Sequence, residues 1–314
     1  MRGFAALNEL ALLLENEFDD TKGAAAAHEK ALAINPRDVI TLNNLAKVVS
    51  KQDPQRARVL FEKALSIDPR YVSALNNLAV LVEKADPERA RELYERALAV
   101  DAAHMSSLNN LALLLQRSDP QRARTLLERL LAIDPNNSHA LVNLASHVMK
   151  TQPQRALELY ERALAIEPHN VAAICNLATL VRGREPQRAR QLYDRALSID
   201  PRCPGVLYGL AFLLKADNPK RARELYETAL ALEPDNAATH HNFAHLLASQ
   251  FGELALAREH FRRAAALDPG EPAHRARMEQ VDAHIRQFGD PGAGATTRRV
   301  TPPLTSGIRI GTIA

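Results

Sequence analysis

Pro36, Pro69, Pro135, Pro168, Pro201 and Pro234 fall 33, 66, 33, 33 and 33 residues apart. Self-similarity at that period marks units that bury their apolar faces by stacking on neighbours, not a single compact core. The interval of 66 holds a degenerate unit, with Ala102 where proline is expected, and Pro269 follows 35 residues after Pro234. The units read 4–38, 39–71, 72–104, 105–137, 138–170, 171–203, 204–236 and 237–271. Six have 33 residues and the two outermost have 35, as befits the atypical ends of an array. Composition agrees. Aromatics make up 4% and tryptophan is absent, although large rings usually dominate mixed cores. The 46% of hydrophobic residues are mostly Ala and Leu, the best helix formers.

The unit 39–71 shows why each repeat is a helical hairpin. Leu42, Leu45, Ala46 and Val49 follow the i, i+3, i+4, i+7 spacing of one helical face and define helix A. Asp53 then offers a side chain to orphan N–H groups, and Pro54 suits the first helical position because it has no N–H to lose. Helix B follows, with Ala57, Leu60, Phe61, Ala64, Leu65 and Ile67 available for packing, until Pro69 prevents continuation.

NNLA in helix A, the small residue near the start of helix B, the YERAL segment and the terminal DP together resemble the tetratricopeptide repeat, across 4–271 and eight times over. Two features depart from that family. Its usual unit is one residue longer, and the aromatic often found near the start of helix A is replaced by Leu42, Leu75, Leu108, Leu141, Ile174 and Leu207. Ankyrin units share the length but not the TPLHxA signature, and the kinesin light chains, which also carry LNNLA, have a longer repeat. The expected fold is all-α: a right-handed superhelical α-solenoid of stacked antiparallel helix pairs.

Beyond 271, Pro272 opens a predicted capping helix over 272–288, with Met278, Val281, Ile285 and Phe288 on one face. The Gly-, Pro- and Thr-rich segment 289–314 has no helical period and reads as a disordered tail. At the other end, helix A of the first unit adds Leu12 and Leu13 to the stripe Leu7, Leu10, Ala11 and Leu14. An apolar array end marks a contact site, so self-association through the N-terminal repeat, or cover by residues upstream in a longer chain, is expected.

Numbering each unit from its first residue, positions 4, 7, 8 and 11 form the packing stripe. At about 100° per residue, positions 2, 5, 6, 9, 12 and 13 lie opposite. In tetratricopeptide arrays helix A lines the concave surface, so the resemblance makes these positions its inner wall. Position 6 carries Asn44, Asn77, Asn110, Asn143, Asn176 and Asn242, interrupted only by Glu9 and Gly209, and position 5 adds Asn8, Asn43, Asn76 and Asn109. An amide side chain both donates and accepts, so such a row suits the backbone of an extended peptide. Similar asparagine ladders line the tetratricopeptide superhelix of the O-linked N-acetylglucosamine transferase family. The competing reading is that each Asn merely bonds a neighbouring helix.

Positions 12 and 13 supply Lys51, Lys84, Arg117, Lys150, Arg182 and Lys215, a stripe that favours an acidic segment or complements the helix dipoles. The basic-plus-Asn clamp that chaperone-tail receptors of this family use is not matched, because position 9 holds Lys47, Val80 or Leu113. Tyr208, Phe212, His241 and His245, at positions 5 and 9 of adjacent units, are the one aromatic cluster of this face and a candidate specificity pocket. His241 and His245 have the spacing of a metal pair, but no Cys or carboxylate completes a set, and no metal or cofactor is expected.

Net charge is +3, which by itself does not argue for nucleic acid. No apolar run is long enough to span a bilayer. Cys175 and Cys203 cannot make a disulfide framework, and a cytoplasmic location is the default. No phosphate-cradling loop, GxSxG, CxxC or acid pair appears, so no catalysis is expected. The function read from the sequence is a protein-protein interaction scaffold or adaptor, holding an extended or acidic segment or a helix of another protein. The alternatives are an RNA-processing assembly scaffold, suggested by the RAR…YERAL wording, and the substrate-recruiting arm of a larger enzyme such as a glycosyltransferase.

Overall fold

The computed structural model describes residues 2–289, and the segment read as a tail lies outside the described residues apart from Gly289. Seventeen α-helices and no strand are found among the described residues. Helices A and B of successive repeats are α1 (Arg2–Phe18) and α2 (Thr21–Ile34), α3 (Val39–Val49) and α4 (Pro54–Ile67), α5 (Val72–Val82) and α6 (Pro87–Val100), and α7 (Met105–Leu115) and α8 (Pro120–Ile133). They continue with α9 (Ser138–Val148) and α10 (Pro153–Ile166), α11 (Val171–Val181) and α12 (Pro186–Ile199), α13 (Pro204–Leu214) and α14 (Pro219–Leu232), and α15 (Ala237–Leu246) and α16 (Leu254–Leu267). The last is α17 (Pro272–Phe288).

The helix boundaries follow from capping chemistry. Asp53, Asp86, Asp119 and Asn218 each accept a hydrogen bond from the backbone N–H three residues on, with proline at the first helical position. Asp38, Asn137, Asn170 and Asn236 cap helix A in the same way. Each such cap contributes about 1 kcal/mol, and recurrence in nearly every unit keeps these short helices in register.

The chain divides into two compact bodies, one to Leu159 and one from Tyr160, with the division inside α10. In the first, α1 packs on α2, α3 on α4, α5 on α6 and α7 on α8, and each helix B also packs on the next helix A: α2 on α3, α4 on α5, α6 on α7 and α8 on α9. The second body repeats the scheme from α11 to α16, and α17 packs on α16. Alanine sits where helices approach most closely. Ala46, Ala79, Ala145, Ala178 and Ala211 of helix A, and Ala57, Ala90, Ala123, Ala189 and Ala222 of helix B, are all fully buried. Small side chains at crossing points permit short interaxial distances. The space between crossings is filled by larger helix-B residues, among them Phe61, Tyr94, Leu127, Tyr193, Tyr226 and Phe261.

The extra residues of the two outer units are absorbed locally. In the first, Asp19 takes a left-handed φ of 51° before Asp20 caps α2. In the eighth, α15 runs into a single π turn, Leu247–Phe251, closed by Gly252 at φ 68°. A residue without Cβ suits that conformation. On α17, Val281 is buried while Arg275, Glu279 and Arg286 are exposed, and Asp282 pairs with Arg258 at 3.2 Å.

Candidate functional site

In the first body the asparagines of helix A form one continuous chain of amide hydrogen bonds. Asn143 donates to Asn109 (2.7 Å), Asn109 to Asn110 (3.5 Å), Asn110 to Asn76 (3.3 Å), Asn76 to Asn77 (3.2 Å), Asn77 to Asn43 (3.0 Å) and Asn43 to Asn44 (3.3 Å). Every bond points the same way along the array, so each polarises the next. Positions 5 and 6 thus play different parts. Asn43 and Asn76, at position 5, are buried, and Asn76 also accepts from Ser107 at 3.2 Å. Asn44, Asn77, Asn110 and Asn143, at position 6, are half-buried. A primary amide has two N–H donors and two acceptor lone pairs. The chain of bonds uses one donor and one acceptor of Asn77 and of Asn110, and both residues keep part of their surface open to water.

Beside this row, on the same side of each helix, lie position 9 and then position 13. On α5 and α7 position 9 is Val80 and Leu113, exposed by 52% and 42%. Lys51, Lys84, Arg117 and Lys150 at position 13 are exposed. By contrast, Lys47 pairs with Glu15 at 2.8 Å, and Arg56, Arg58, Arg89, Arg91, Arg122, Arg124 and Arg155 also pair with carboxylates. The open face of α5 and of α7 therefore presents an amide, an apolar side chain and a cation in order. The apolar member was missed in the sequence reading, although Leu12, Val80 and Leu113 recur at the repeat spacing.

The second body presents a different wall. Asn242 donates to the Tyr208 hydroxyl (3.0 Å) and to the Ala238 carbonyl (3.0 Å). Tyr208 and Phe212 lie 6.5 Å apart between ring centres. Arg182 and Lys215, both half-buried, stand over the Phe212 ring at 4.4 and 3.8 Å. Burial, and then the neighbouring Arg182 charge, push the Lys215 ammonium below its ordinary range. Gly209 interrupts the asparagine row because the Tyr193 ring occupies that place: a Cβ on Gly209 would lie 2.5 Å from ring carbons. Asn176 is half-buried on α11.

His241 and His245 do not stack with Tyr208 and Phe212. Their rings turn to Phe261, at 5.3 and 5.2 Å between centres. His241 is itself buried and meets His274 of α17 nitrogen to nitrogen at 2.8 Å. A second pair, His240 and His260, has the same 2.8 Å contact between Nδ1 atoms. His240 Nε2 lies 2.9 Å from the Pro234 carbonyl, so it must donate, and Nδ1 of the neutral ring then accepts from His260. Burial is the largest cause lowering His241 to about 4, His245 to about 3 and His260 to about 4. These rings are neutral at physiological pH. Among the described residues no group of three His, Cys, Asp or Glu side chains converges on one point.

Helix B carries repeated Arg–acid spacings of four residues. Arg58–Glu62, Arg124–Glu128, Arg190–Asp194 and Arg223–Glu227 pair within a helix at that spacing. Arg91, which stands four residues before Glu95, pairs instead with Glu88 at 2.7 Å. Glu95 is taken by Arg122 of the following repeat at 2.8 Å. The same cross-repeat bond recurs as Arg56–Glu29, Arg155–Glu128 and Arg188–Glu161. A guanidinium reaches the next helix B in the stack as readily as the next turn of its own. Burial also pushes the Cys175 thiol up to about 12, which keeps it protonated and a poor nucleophile at neutral pH. No described helix is long and apolar enough to cross a membrane.

Family comparison accords with this geometry. Tetratricopeptide repeat models match residues 80–138, 113–171, 146–205 and 213–281, together more than half of the chain, and a Sel1 repeat model matches 49–66. The chain belongs to the tetratricopeptide repeat family. Among solved structures, a tetratricopeptide repeat protein from Parabacteroides merdae is 16% identical, matching 79% of this chain and 100% of its own with a TM-score of 0.61. Yeast Tom70 is 20% identical over 87% of this chain and 61% of its own, with a TM-score of 0.56. At such identities the likeness establishes the fold, an α-solenoid of helix pairs, and nothing finer. No curated protein matches the chain by sequence.

Proposed function

We propose that the chain is a protein-interaction scaffold whose helix-A face holds an extended, acidic segment of another protein. The observation that carries this reading is the repeated order of half-buried amide, exposed apolar side chain and cation on α5 and α7, at Asn77, Val80 and Lys84 and again at Asn110, Leu113 and Arg117. A scaffold that only needed to stack would gain nothing from leaving Val80 and Leu113 in water. Amides hold peptide backbone in any sequence, the apolar row takes a small hydrophobic side chain, and the cations select carboxylates. Asn44 with Lys51, and Asn143 with Lys150, extend the row in both directions along the first body. In the second body Asn176, Asn242, Tyr208 and Phe212 would supply the more selective contacts. His245, half-buried, is the one histidine of the pair left open to a ligand.

The reading is tested with a displayed library of random linear peptides panned against the full chain. Recovered peptides should be enriched in Asp and Glu interspersed with apolar residues, and their binding should weaken with salt. Val80→Ser with Leu113→Ser removes apolar surface that is already exposed. Stability should therefore change by less than about 0.5 kcal/mol, while peptide affinity falls about tenfold or more. Unchanged affinity in this variant, or recovery of basic peptides, would contradict the reading.

A further inference from the structure

The open face of α1 is the array's own stacking surface without its cover. Gly3, Ala6, Leu10, Leu13 and Glu17 fall on one stripe of that helix at i, i+3, i+7, i+10 and i+14. Leu10 is 45% exposed and Leu13 49%. The residue equivalent to Leu10 in the following repeats is Leu45, Leu78, Leu111 and Leu144, exposed by 1%, 3%, 0% and 1%. The equivalents of Leu13 in α3 and α15 are Val48 at 9% and Leu246 at 2%. What covers those residues is the preceding helix B: α2 over α3, α4 over α5, α6 over α7 and α8 over α9. Leu12, expected alongside Leu13 on this face, lies about 160–200° round the helix from Leu10, at the position that is also exposed in Val80 and Leu113.

The charges of α1 narrow the choice of occupant. Its last turn carries Glu15 and Glu17 and no basic residue. Those carboxylates oppose the helix dipole. Lys47 satisfies Glu15. Glu17, on the open stripe, has no ion-pair partner among the described residues. A second α1 lying antiparallel would set each helix's dipole-positive start beside the other's acidic, dipole-negative end, with Leu10 meeting its own copy at the centre. The described C-terminal end of the array is a poor cover. The outer side of α17 is polar, with Arg275, Glu279 and Arg286 exposed, and docking α1 there would strip those charges of water.

We propose that two copies of this chain associate head to head through the Gly3–Ala6–Leu10–Leu13–Glu17 face of α1, packed antiparallel about a two-fold axis. The contact is isologous and closes on itself, so it yields a dimer rather than a filament. It leaves the helix-A face of both copies free and joins two scaffolds into one bivalent assembly. This inference does not depend on what the scaffold binds.

Sedimentation equilibrium of the full 314-residue chain tests it. The unmodified chain should dimerise with a dissociation constant below about 100 µM, and Leu10→Glu with Leu13→Glu should be monomeric with an unchanged helical spectrum. Leu12→Glu should leave association unaltered. If the double variant fails to fold, Glu17 decides: Glu17→Arg should weaken the dimer about tenfold, and Glu17→Asp should keep it. A monomeric unmodified chain at about 100 µM would overturn the proposal. So would a dimer indifferent both to the leucine substitutions and to Glu17→Arg.

Discussion

A Gly209→Ala chain should be destabilised by about 2 kcal/mol, with the loss confined to the sixth and seventh repeats. In most helices this exchange adds about 1 kcal/mol of stability, because alanine is the better helix former. Here the new Cβ would sit 2.5 Å from the Cε1 and Cζ atoms of Tyr193 and 2.6 Å from its hydroxyl. The ring cannot retreat cheaply. Tyr193 is fully buried, and its hydroxyl lies 2.9 Å from the Thr179 hydroxyl. Moving it costs about 1–3 kcal/mol of packing and the hydrogen bond about 1 kcal/mol more, which together outweigh the helix gain. Thermal unfolding of the variant should start earlier, and hydrogen exchange should accelerate in α12 and α13 before any other helix. An equal or higher midpoint would show that the Tyr193 ring finds another place without loss.

Acid should loosen the last repeat more than the central repeats. The unfolded-state value of a histidine is about 6.5, whereas burial holds His241 and His260 to about 4 and His245 to about 3. Between those values the unfolded chain binds more protons than the folded one, so stability falls as pH falls. The loss begins near pH 6.5 and is complete near the folded values. At pH 5 it amounts to about 1–2 kcal/mol for each buried imidazole, and less for a ring that water reaches. The surroundings reinforce the shift: His274 and Arg277 face His241; His241, Arg277 and Lys215 face His245; His240 faces His260. Glu271 beside His241, and Glu259 and Glu227 beside His260, oppose it more weakly. Geometry adds a second penalty, because two protons on either Nδ1–Nδ1 pair would set N–H against N–H across 2.8 Å. Protection factors for α15, α16 and α17 should therefore drop between pH 7.5 and pH 5 while those of α3 to α8 hold. Equal protection across that range would contradict the account.

Much of this fold was legible in the sequence because it depends on local chemistry repeated at a fixed interval. Asp53–Pro54 starts α4, and the stripe Leu42, Leu45, Ala46 and Val49 is buried. What escaped depends on contacts between repeats. On a helical wheel, positions 5 and 6 both point away from the stripe, yet the next helix A buries Asn43 and Asn76 and leaves Asn77 and Asn110 half-open. Arg91 and Glu95 have the spacing of an intrahelical pair, but Arg122 lies closer to Glu95 in the stack. Gly209 read as a gap in a row of asparagines, and only the packed Tyr193 ring shows why no side chain fits there. The burial of His241 against His274 was invisible for the same reason, since the two lie 33 residues apart.

The central claim is that the amides of position 6 both stack the array and face a bound peptide. Side-chain amide resonances of a 15N-labelled chain report it most directly. Titration with a peptide recovered by panning should shift the Nδ2 groups of Asn77, Asn110 and their neighbours Asn44 and Asn143. The outer face of helix B, at Arg58, Arg91 and Arg124, should stay unperturbed. Unmoved asparagine amides, with shifts confined to helix B, would show that the asparagines serve stacking alone and that the partner binds elsewhere.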